Sequence, residues 1–375
     1  MQWNASRHEL GWPGLNQVRN RECMQRHLLF ATTLYALPVL RPLAEAIRAS
    51  GGEAAWFVAS SLLPYMAEGE RVLRNAGEVK AFAPVAVYSA SNWVPHFFPG
   101  TKVQVFHGFN VEKRDSSRGH FRIRGLFDLY CTQGPATTEP FQKLAAQLGH
   151  FKVVETGWPK LDPLFSGDTA SAADLHPHDG RVVCMYAATF TESLSSAPAL
   201  FKEISKQVAR GDRYWLLTLH PKSDPELVNM YRSLEGPNAR YLEAVDLVNM
   251  MRAADVMVSD TSSAVSEFIV QGKPVVTFRN RAPRSHMIDI QSAEQLEVAL
   301  QTALSPPAAL VAEIETYAHN IHPSRDGRSS ERILAAANAL AAGQMGPLGP
   351  KPLNIWRKLK GRLRYMGWTE ESLGD

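Results

Sequence analysis

Two histidines come directly after apolar runs, one in each half of the 375-residue chain. The run "VQVF" ends at His107, which precedes Gly108. The run "YWLLTL" ends at His220, which precedes Pro221 and Lys222. Ligands of open α/β sheets gather at the carboxyl ends of strands, where a histidine of pKa near 6.5 can accept a proton and cations can bind a diphosphate. We predict a catalytic pair, His107 and His220, although each alone also fits an ordinary strand end or surface turn.

A run of small hydroxyls follows a third apolar segment. "VMVS" is followed by Asp260, Thr261, Ser262 and Ser263, after which apolar residues recur at helical spacing. Free backbone N–H groups at the start of a helix attract anions, and Glu267, one turn further, can accept hydrogen bonds from ribose hydroxyls. We predict a phosphate seat here, and a plain helix cap is the alternative.

Three further segments carry polar side chains with no clear function of their own. "TGWPKLDPLF" (156–165) presents Lys160 and Asp162 before a linker-like stretch and is interpreted as part of a hinge. "HPSRDGRSSERI" (322–333) includes Arg332, and "RNRAPR" follows the strand "VVTF". Its arginines, Arg279, Arg281 and Arg284, suit an anionic ligand.

Missing motifs exclude several chemistries. The chain has no G-x-G-x-x-G, no G-x-x-x-x-G-K-[ST], no Asp-x-Asp and no G-x-S-x-G, which disfavours NAD binding, P-loop phosphate transfer, a metal-held nucleotide and a serine hydrolase. His176-Pro-His178 and His319-x-x-His322 lack convergent cysteines or carboxylates. We predict no metal site and no cofactor.

Apolar runs alternate with Ala-rich amphipathic segments, which is typical of βαβ units. A linker-like composition near 165–180 separates two such halves. The predicted fold is α/β, with two Rossmann-like domains facing each other across a cleft. The predicted domains are 1–170 on the acceptor side, 171–345 for the nucleotide donor, and a basic amphipathic tail at 346–375.

Composition indicates a cytoplasmic protein. The net charge of +3 does not by itself favour a nucleic-acid partner, and three scattered cysteines suit a reducing compartment. No apolar stretch approaches the roughly eighteen residues of a spanning helix, and the N-terminus lacks the apolar core of a signal peptide.

In order along residues 100–335, "FHGF", "GWPKLD", "YAATF", "LLTLHP", "SDTSS" and "RDGRSSER" resemble the motifs of the CDP-glycerol glycerophosphotransferase family, the teichoic-acid primases and polymerases. The resemblance implies a GT-B-like fold that binds its donor without metal. It implies transfer of glycerol phosphate from CDP-glycerol to a hydroxyl of a glycan or lipid-linked acceptor in envelope polysaccharide synthesis, with release of CMP.

Carried over by position, the resemblance makes His107 the general base and His220 the histidine that holds the donor phosphates. Ser262, Ser263 and Glu267 then match donor contacts, and Arg332, which matches the late arginine, is predicted to bind the donor. Gly108, Lys160 and Asp162 are predicted to belong to the acceptor side or the hinge. Three departures stand out: Phe109-Asn110 after the His-Gly, Ala188 in place of a proline, and the basic "RNRAPRSHM" (279–287). The last suits a donor or acceptor more anionic than that of the family.

The tail segment 351–368, "KPLNIWRKLKGRLRYMGW", interleaves basic with aromatic and leucine residues. Leu359 and Leu363 share a helical face with Trp356, which favours contact with an anionic membrane surface at the inner face of the cytoplasmic membrane. The alternative is a helix that packs its apolar stripe on the protein body.

Three competing functions remain open from the sequence. One is a GT-B-like sugar transferase of capsule or lipopolysaccharide assembly. Another is a UDP-sugar 2-epimerase, which needs further acid/base carboxylates in the cleft. The last is an inactive relative that binds nucleotide and recruits partners.

Overall fold

Twelve short apolar runs form two parallel six-stranded sheets in the computed structural model, which describes residues 24–109, 121–166, 173–243 and 247–366. The strands are β1 Arg26–Ala31, β2 Glu53–Val58, β3 Ala86–Ser89, β4 Thr101–Gln104, β5 Leu129–Thr132, β6 Lys152–Glu155, β7 Val183–Ala188, β8 Tyr214–Leu219, β9 Ala239–Tyr241, β10 Val256–Ser259, β11 Val275–Phe278 and β12 Ile288–Ile290. Most are buried almost throughout because helices cover both faces of each sheet, which explains their continuous apolar sequences.

The connections run through helices α1 Leu37–Ala49, α2 Ala76–Phe82, α3 Pro135–Leu148, α4 Asp162–Phe165, α5 Ala197–Arg210, α6 Pro225–Arg232, α7 Leu247–Ala253, α8 Ser263–Ile269, α9 Leu296–Leu304, α10 Ala308–Ile321, α11 Ser329–Ala341 and α12 Ile355–Met366. Gly272 follows α8 at φ 78°, a conformation that glycine adopts without steric cost.

In each sheet, the direction in which successive strands are added reverses once. The first has the order β2-β1-β3-β4-β5-β6 and the second β12-β11-β10-β7-β8-β9, so the chain reverses between β1 and β3 and between β7 and β10. Ligand crevices of open α/β sheets lie at the carboxyl ends of strands at such reversals. The topology therefore marks one crevice in each half.

One apolar core joins the halves, since it contains side chains from strands of both sheets, such as Trp56 and Met257, together with Trp158. The chain then returns, because α11 packs on α1 and on β3–β5 of the first sheet. Residues 329–341, which the predicted 171–345 domain includes, thus contact the first sheet, and the predicted domain bounds stay a prediction. The predicted boundary at 170/171, the departure Asn110 and residues 367–368 of the predicted membrane segment lie outside the described residues.

Candidate functional site

His107 lies at the carboxyl edge of the first sheet, three residues after β4. It follows Phe106, which has φ 57°, an uncommon conformation for a bulky side chain. Its Nδ1 is 3.0 Å from the carbonyl oxygen of Ala90, in the loop after β3, and its ring is 5.0 Å from the ring of Tyr35 after β1. A carbonyl only accepts, so Nδ1 carries the proton and Nε2 keeps its lone pair in the neutral ring. The neutral ring of His107 can therefore accept a proton on Nε2, at the β1/β3 reversal.

Gly108 continues this loop. Its carbonyl oxygen accepts a hydrogen bond of 2.9 Å from Nε2 of Gln133, which precedes α3. The bond ties the loop that carries His107 to the end of β5. Gly108 thus holds the loop in place, and its predicted role on the acceptor side stays a prediction.

His220 has the opposite hydrogen-bonding state at the end of β8. The backbone N–H of Lys222 donates to its Nδ1 at 3.1 Å, so the neutral ring carries its proton on Nε2. Partial burial, and secondly the charge of Lys222, lower the pKa of His220, which favours the neutral form. Its ring lies 4.3 Å from that of Phe190, over which the Lys222 ammonium also sits at 5.7 Å. His220 is thus an N–H donor.

A cavity of about 660 Å³ opens at the β7/β10 reversal. Its walls come from the loops after β7, β10 and β11 and from α8 and α10, with Phe109 and Ala136 added by the first half. The polar residues of its lining are Thr189, Thr191, Thr261, Ser262, Ser263, Ser266, Glu267, Asn280, Arg281, Arg284, His286, Tyr317 and Asn320. The described residues that line it include the predicted hydroxyl run and Glu267. Neither His107 nor His220, the predicted catalytic pair, is among them.

Asp260 does not face this cavity, contrary to the predicted donor contact. It is fully buried, and its carboxylate accepts from the N–H groups of Thr189 (3.1 and 3.2 Å) and Ser196 (2.9 Å) and from the Ser196 hydroxyl (2.9 Å). Burial raises the pKa of Asp260, and this effect is larger than that of the hydrogen bonds, which lower it. The side chain joins the ends of β7 and β10 and thereby shapes the cavity wall.

Two of the hydroxyls beside Asp260, those of Thr261 and Ser262, accept hydrogen bonds from backbone N–H groups. Ser262 caps α8 by accepting from the N–H of Ala264 at 3.3 Å, so the cap interpretation is correct for this side chain. Thr261 accepts from the N–H of Arg281 at 3.1 Å, and the Asn280 side chain donates to the carbonyl of Asp260 at 3.1 Å. The loop after β11 is therefore fastened to the hydroxyl run.

Two predicted donor-binding arginines have other partners. Arg279 donates from Nε to the carbonyl of Gln291 at 2.9 Å and does not line the cavity. Arg332 donates to the carbonyl of Thr156 at 2.8 Å and forms a two-pronged ion pair with Asp326 at 2.8 and 3.1 Å. Arg279 fastens β11 to β12, and Arg332 fastens α11 to the loop after β6, because these are the acceptors within their reach.

The segment 156–162 contacts residues of both halves, and its interpretation as part of a hinge stays a prediction. Asp162 accepts from the backbone N–H groups of Ser329 (2.8 Å) and Ser330 (2.7 Å), which begin α11. A carboxylate at the start of a helix accepts from backbone N–H groups that have no partner within the helix, and the helix dipole stabilises its negative charge. Lys160 places its ammonium 2.6 Å from both carboxylate oxygens of Glu267 in the cavity wall. Glu267 is thus paired across the halves, and a ribose would share it with Lys160.

Replacing Lys160 with methionine is expected to lower the free energy of unfolding by about 2 kcal/mol, less than the full cost of breaking a deeply buried pair because the lysine is partly exposed. The Glu267 side chain is only 5% exposed and would lose its counter-charge. Urea unfolding of Lys160→Met, Glu267→Gln and the double variant measures the coupling. Lys206→Met, which breaks a pair whose lysine side chain is 59% exposed, is the control and should change stability by at most about 0.5 kcal/mol. Additive effects of the two substitutions would contradict the coupling.

A model of the CDP-glycerol:poly(glycerophosphate) glycerophosphotransferases matches residues 88–284, more than half of the chain. The chain belongs to this family. It is therefore a transferase, and the match covers His107, His220 and the hydroxyl run. No curated protein matches the chain in sequence.

Solved structures support the fold of this glycerophosphotransferase family member. A solved structure of the wall teichoic acid polymerase TagF aligns with a TM-score of 0.61 and 15% identity over 85% of this chain and 90% of the chain in that structure. A similar match is to a TagF variant soaked with CDPG. A structure of S. aureus MnaA with UDP aligns with a TM-score of 0.57 and 16% identity over 88% of this chain and 99% of the chain in that structure. A putative UDP-N-acetylglucosamine 2-epimerase from Listeria monocytogenes gives 0.59 and 14% over 86% and 98%. These likenesses confirm the predicted two-sheet, GT-B-like fold.

The cavity of this family member also contains a pair that the sequence did not single out. The rings of His286 and Tyr317 stack with centroids 3.6 Å apart, and the Tyr317 hydroxyl lies 3.1 Å from that of Ser266. Burial, and secondly Arg284, lower the pKa of His286 to about 4, so this ring is neutral. The two residues are 31 positions apart on different elements, and no spacing in the sequence predicts their contact.

The described part of the chain has no group of three His, Cys, Asp or Glu side chains placed to hold a metal ion. Among the helices of that part, none is long and apolar enough to cross a bilayer.

Proposed function

We propose that this protein transfers glycerol phosphate, or a related activated group, from a CDP-linked donor to a hydroxyl of a glycan or lipid-linked acceptor during synthesis of a cell-envelope polysaccharide. The observation that carries the proposal is the opposite hydrogen-bonding state of two strand-end histidines. His107 presents a lone pair on Nε2, and His220 presents an N–H donor at the same atom. A phosphoryl transfer needs one group that takes a proton and another that stabilises charge.

In the proposed reaction, the acceptor hydroxyl gives its proton to Nε2 of His107. The hydroxyl oxygen forms a bond to the phosphorus of glycerol phosphate. The bond from that phosphorus to the bridging oxygen breaks, and CMP leaves with the electron pair. The N–H of His220 donates to the phosphate oxygens, whose negative charge is redistributed in the transition state.

The donor is proposed to occupy the cavity at the β7/β10 reversal, beside Thr261, Ser262 and Ser263. Arg281 and Arg284 line this cavity, in contrast to Arg279. Because Glu267 is paired with Lys160, these two arginines supply positive charge to match a diphosphate. This charge balance supports a nucleotide diphosphate donor, and the TagF variant soaked with CDPG supports CDP-glycerol as the first candidate.

Replacing Arg281 or Arg284 with alanine is expected to raise the donor KM about tenfold each, since a hydrogen bond from a charged group contributes about 1.5–3 kcal/mol. Initial rates at varied CDP-glycerol concentration measure the effect. Arg279→Ala is the matched control, because it removes the same charge from the same loop but lies outside the cavity lining. An equal rise of the donor KM in all three variants would indicate that only the total positive charge of the loop matters. It would contradict the assignment of Arg281 and Arg284 to the donor site.

The proposed function is tested by a donor panel of CDP-glycerol, CDP-ribitol, CMP-sugars and UDP-sugars, with nucleotide release measured in the presence of a membrane extract as acceptor. Release of CMP from a CDP-linked donor is expected. Release from UDP-sugars alone would overturn the proposal in favour of a GT-B-like sugar transferase.

A UDP-sugar 2-epimerase is the second candidate, favoured by the likeness in fold to the Listeria protein. An epimerase needs acid/base carboxylates in its cleft. Glu267 is the sole carboxylate among the described residues that line the cavity, and Lys160 holds it. Conversion of a UDP-sugar without any acceptor would support the epimerase.

A lipid-linked acceptor would bring the protein to the inner face of the cytoplasmic membrane. Residues 351–368 are the proposed peripheral contact.

A further inference from the structure

The apolar stripe of α12 faces away from the protein body. Ile355, Trp356, Leu359 and Leu363 are 65%, 83%, 46% and 71% exposed. At 100° per residue these four lie within one third of the helix circumference. The buried Tyr365 lies on the opposite side. The stripe therefore does not pack on the described part of the body, and contact with a membrane stays a proposal.

A different set of contacts holds α12 in place. Tyr365 stacks on Trp93 with ring centroids 5.0 Å apart, and Gly361 packs so closely that a Cβ would lie 2.9 Å from the Trp93 ring. Ahead of the helix, Lys351 pairs with Asp128 at 2.6 Å and Asn354 donates to the carbonyl of Arg124 at 2.8 Å. Docking through these contacts leaves the apolar stripe uncovered by the described residues.

Cations surround this stripe. The described residues of 121–128 and 351–366 include the following basic side chains: Arg122, Arg124, Lys351, Arg357, Lys358, Lys360, Arg362 and Arg364. Asp128 is the single acid in these two segments, and Lys351 pairs with it. Burial, and then the charges of Arg122 and Arg357, lower the pKa of Arg124. The surface therefore combines exposed apolar side chains with a strong excess of positive charge.

We propose that α12 together with Arg122 and Arg124 forms a docking surface for an anionic lipid bilayer. The apolar stripe enters the interface between headgroups and acyl chains, and the flanking lysines and arginines contact headgroup phosphates while their stems lie along the apolar side chains. An anionic membrane supplies a continuous layer of negative charge to this excess of cations. A water-soluble partner does not supply such a layer.

The docking surface also determines the orientation of the carboxyl edge of the first sheet, where His107 lies. Trp93, which stacks on Tyr365, belongs to the loop after β3 whose Ala90 carbonyl accepts from His107. The hydroxyls of Ser89 and Ser91 donate to the carbonyl of Trp93 at 3.0 and 2.8 Å and tie this loop to the end of β3. Binding through α12 therefore places the carboxyl edge of the first sheet beside the bilayer, where a lipid-linked hydroxyl reaches His107. This last step rests on the proposed function.

The test uses the full chain in co-sedimentation with vesicles, without donor or acceptor. Vesicles of equimolar phosphatidylglycerol and phosphatidylcholine are expected to bind at least about tenfold more tightly than phosphatidylcholine alone. The double variant Trp356→Glu/Leu363→Glu should lose this binding. Val298→Glu, which makes the same kind of change at a 66% exposed residue of α9, should keep it. Circular dichroism confirms that each variant is folded.

Three results would overturn the docking surface: equal binding to neutral vesicles, unchanged binding of the double variant, or concentration-dependent dimerisation that the double variant abolishes without any vesicle binding. Turnover with a water-soluble acceptor is measured separately. Vesicle binding without turnover would reject the proposed reaction alone, and turnover without vesicle binding would reject the docking surface alone.

Discussion

Replacing His107 with alanine is expected to lower turnover by a factor of about a hundred to ten thousand, the usual contribution of a positioned general base. The physical reason is the bond from Nδ1 to the Ala90 carbonyl, which leaves Nε2 as the only ring atom with a free lone pair. Donor affinity should stay unchanged, because His107 is not among the residues that line the donor cavity. Single-turnover rates and donor binding, measured on the same variant, separate the two quantities.

The control for this substitution is His319→Ala, which removes an exposed histidine of α10 and should leave turnover within about twofold, as expected for a surface position. A second variant, His107→Gln, keeps a hydrogen-bond donor to Ala90 but has no basic nitrogen. It should be as slow as the alanine variant. Retained turnover in either His107 variant would contradict its role as the base.

Replacing His220 with alanine is expected to lower turnover about a hundredfold to a thousandfold, the cost typical of losing one donor to a developing charge. Because the N–H of Lys222 occupies Nδ1, the neutral ring of His220 directs its own N–H from Nε2. His220→Gln restores an N–H donor of similar reach and should recover part of the rate. A rate for the glutamine variant no higher than for alanine would contradict the donor role.

The pH dependence of turnover gives an independent check on His220. Burial and Lys222 lower its pKa below the usual 6.5, so the ring stays neutral through neutral pH. Protonation at lower pH adds a proton to Nδ1 and breaks the bond from the Lys222 N–H. A loss of activity that originates in His220 should therefore begin below pH 6.5, and it should be absent from the profile of His220→Gln.

The order of apolar runs and the residues that end them determined much of this protein from sequence. Parallel strands buried on both faces must be continuously apolar, so the two sheets were predictable, and polar residues at strand ends must meet at one edge. That is why His107, His220 and the hydroxyl run were all found at carboxyl ends. The ordered motifs predicted the family, which the match over residues 88–284 confirms.

Only the tertiary structure decided which polar partners meet. Arg332 binds the carbonyl of Thr156, 176 positions earlier, and Lys160 pairs with Glu267 over a separation of 107. Asp260 and Arg279 likewise bind groups brought to them by neighbouring strands. A charged side chain takes the nearest acceptor or donor that folding provides, and a local pattern does not contain that neighbour.

The tail gives the same lesson for an apolar surface. The periodicity of residues 351–368 determined that the helix has an apolar stripe with basic flanks. It did not determine the direction of the stripe, because both a body-packed and a membrane-facing helix satisfy the same pattern. Trp93 decided it, since its ring accommodates Gly361 and Tyr365 and thereby turns the leucines outward. Local periodicity defines the faces of a helix, and only packing against distant residues determines which face is buried.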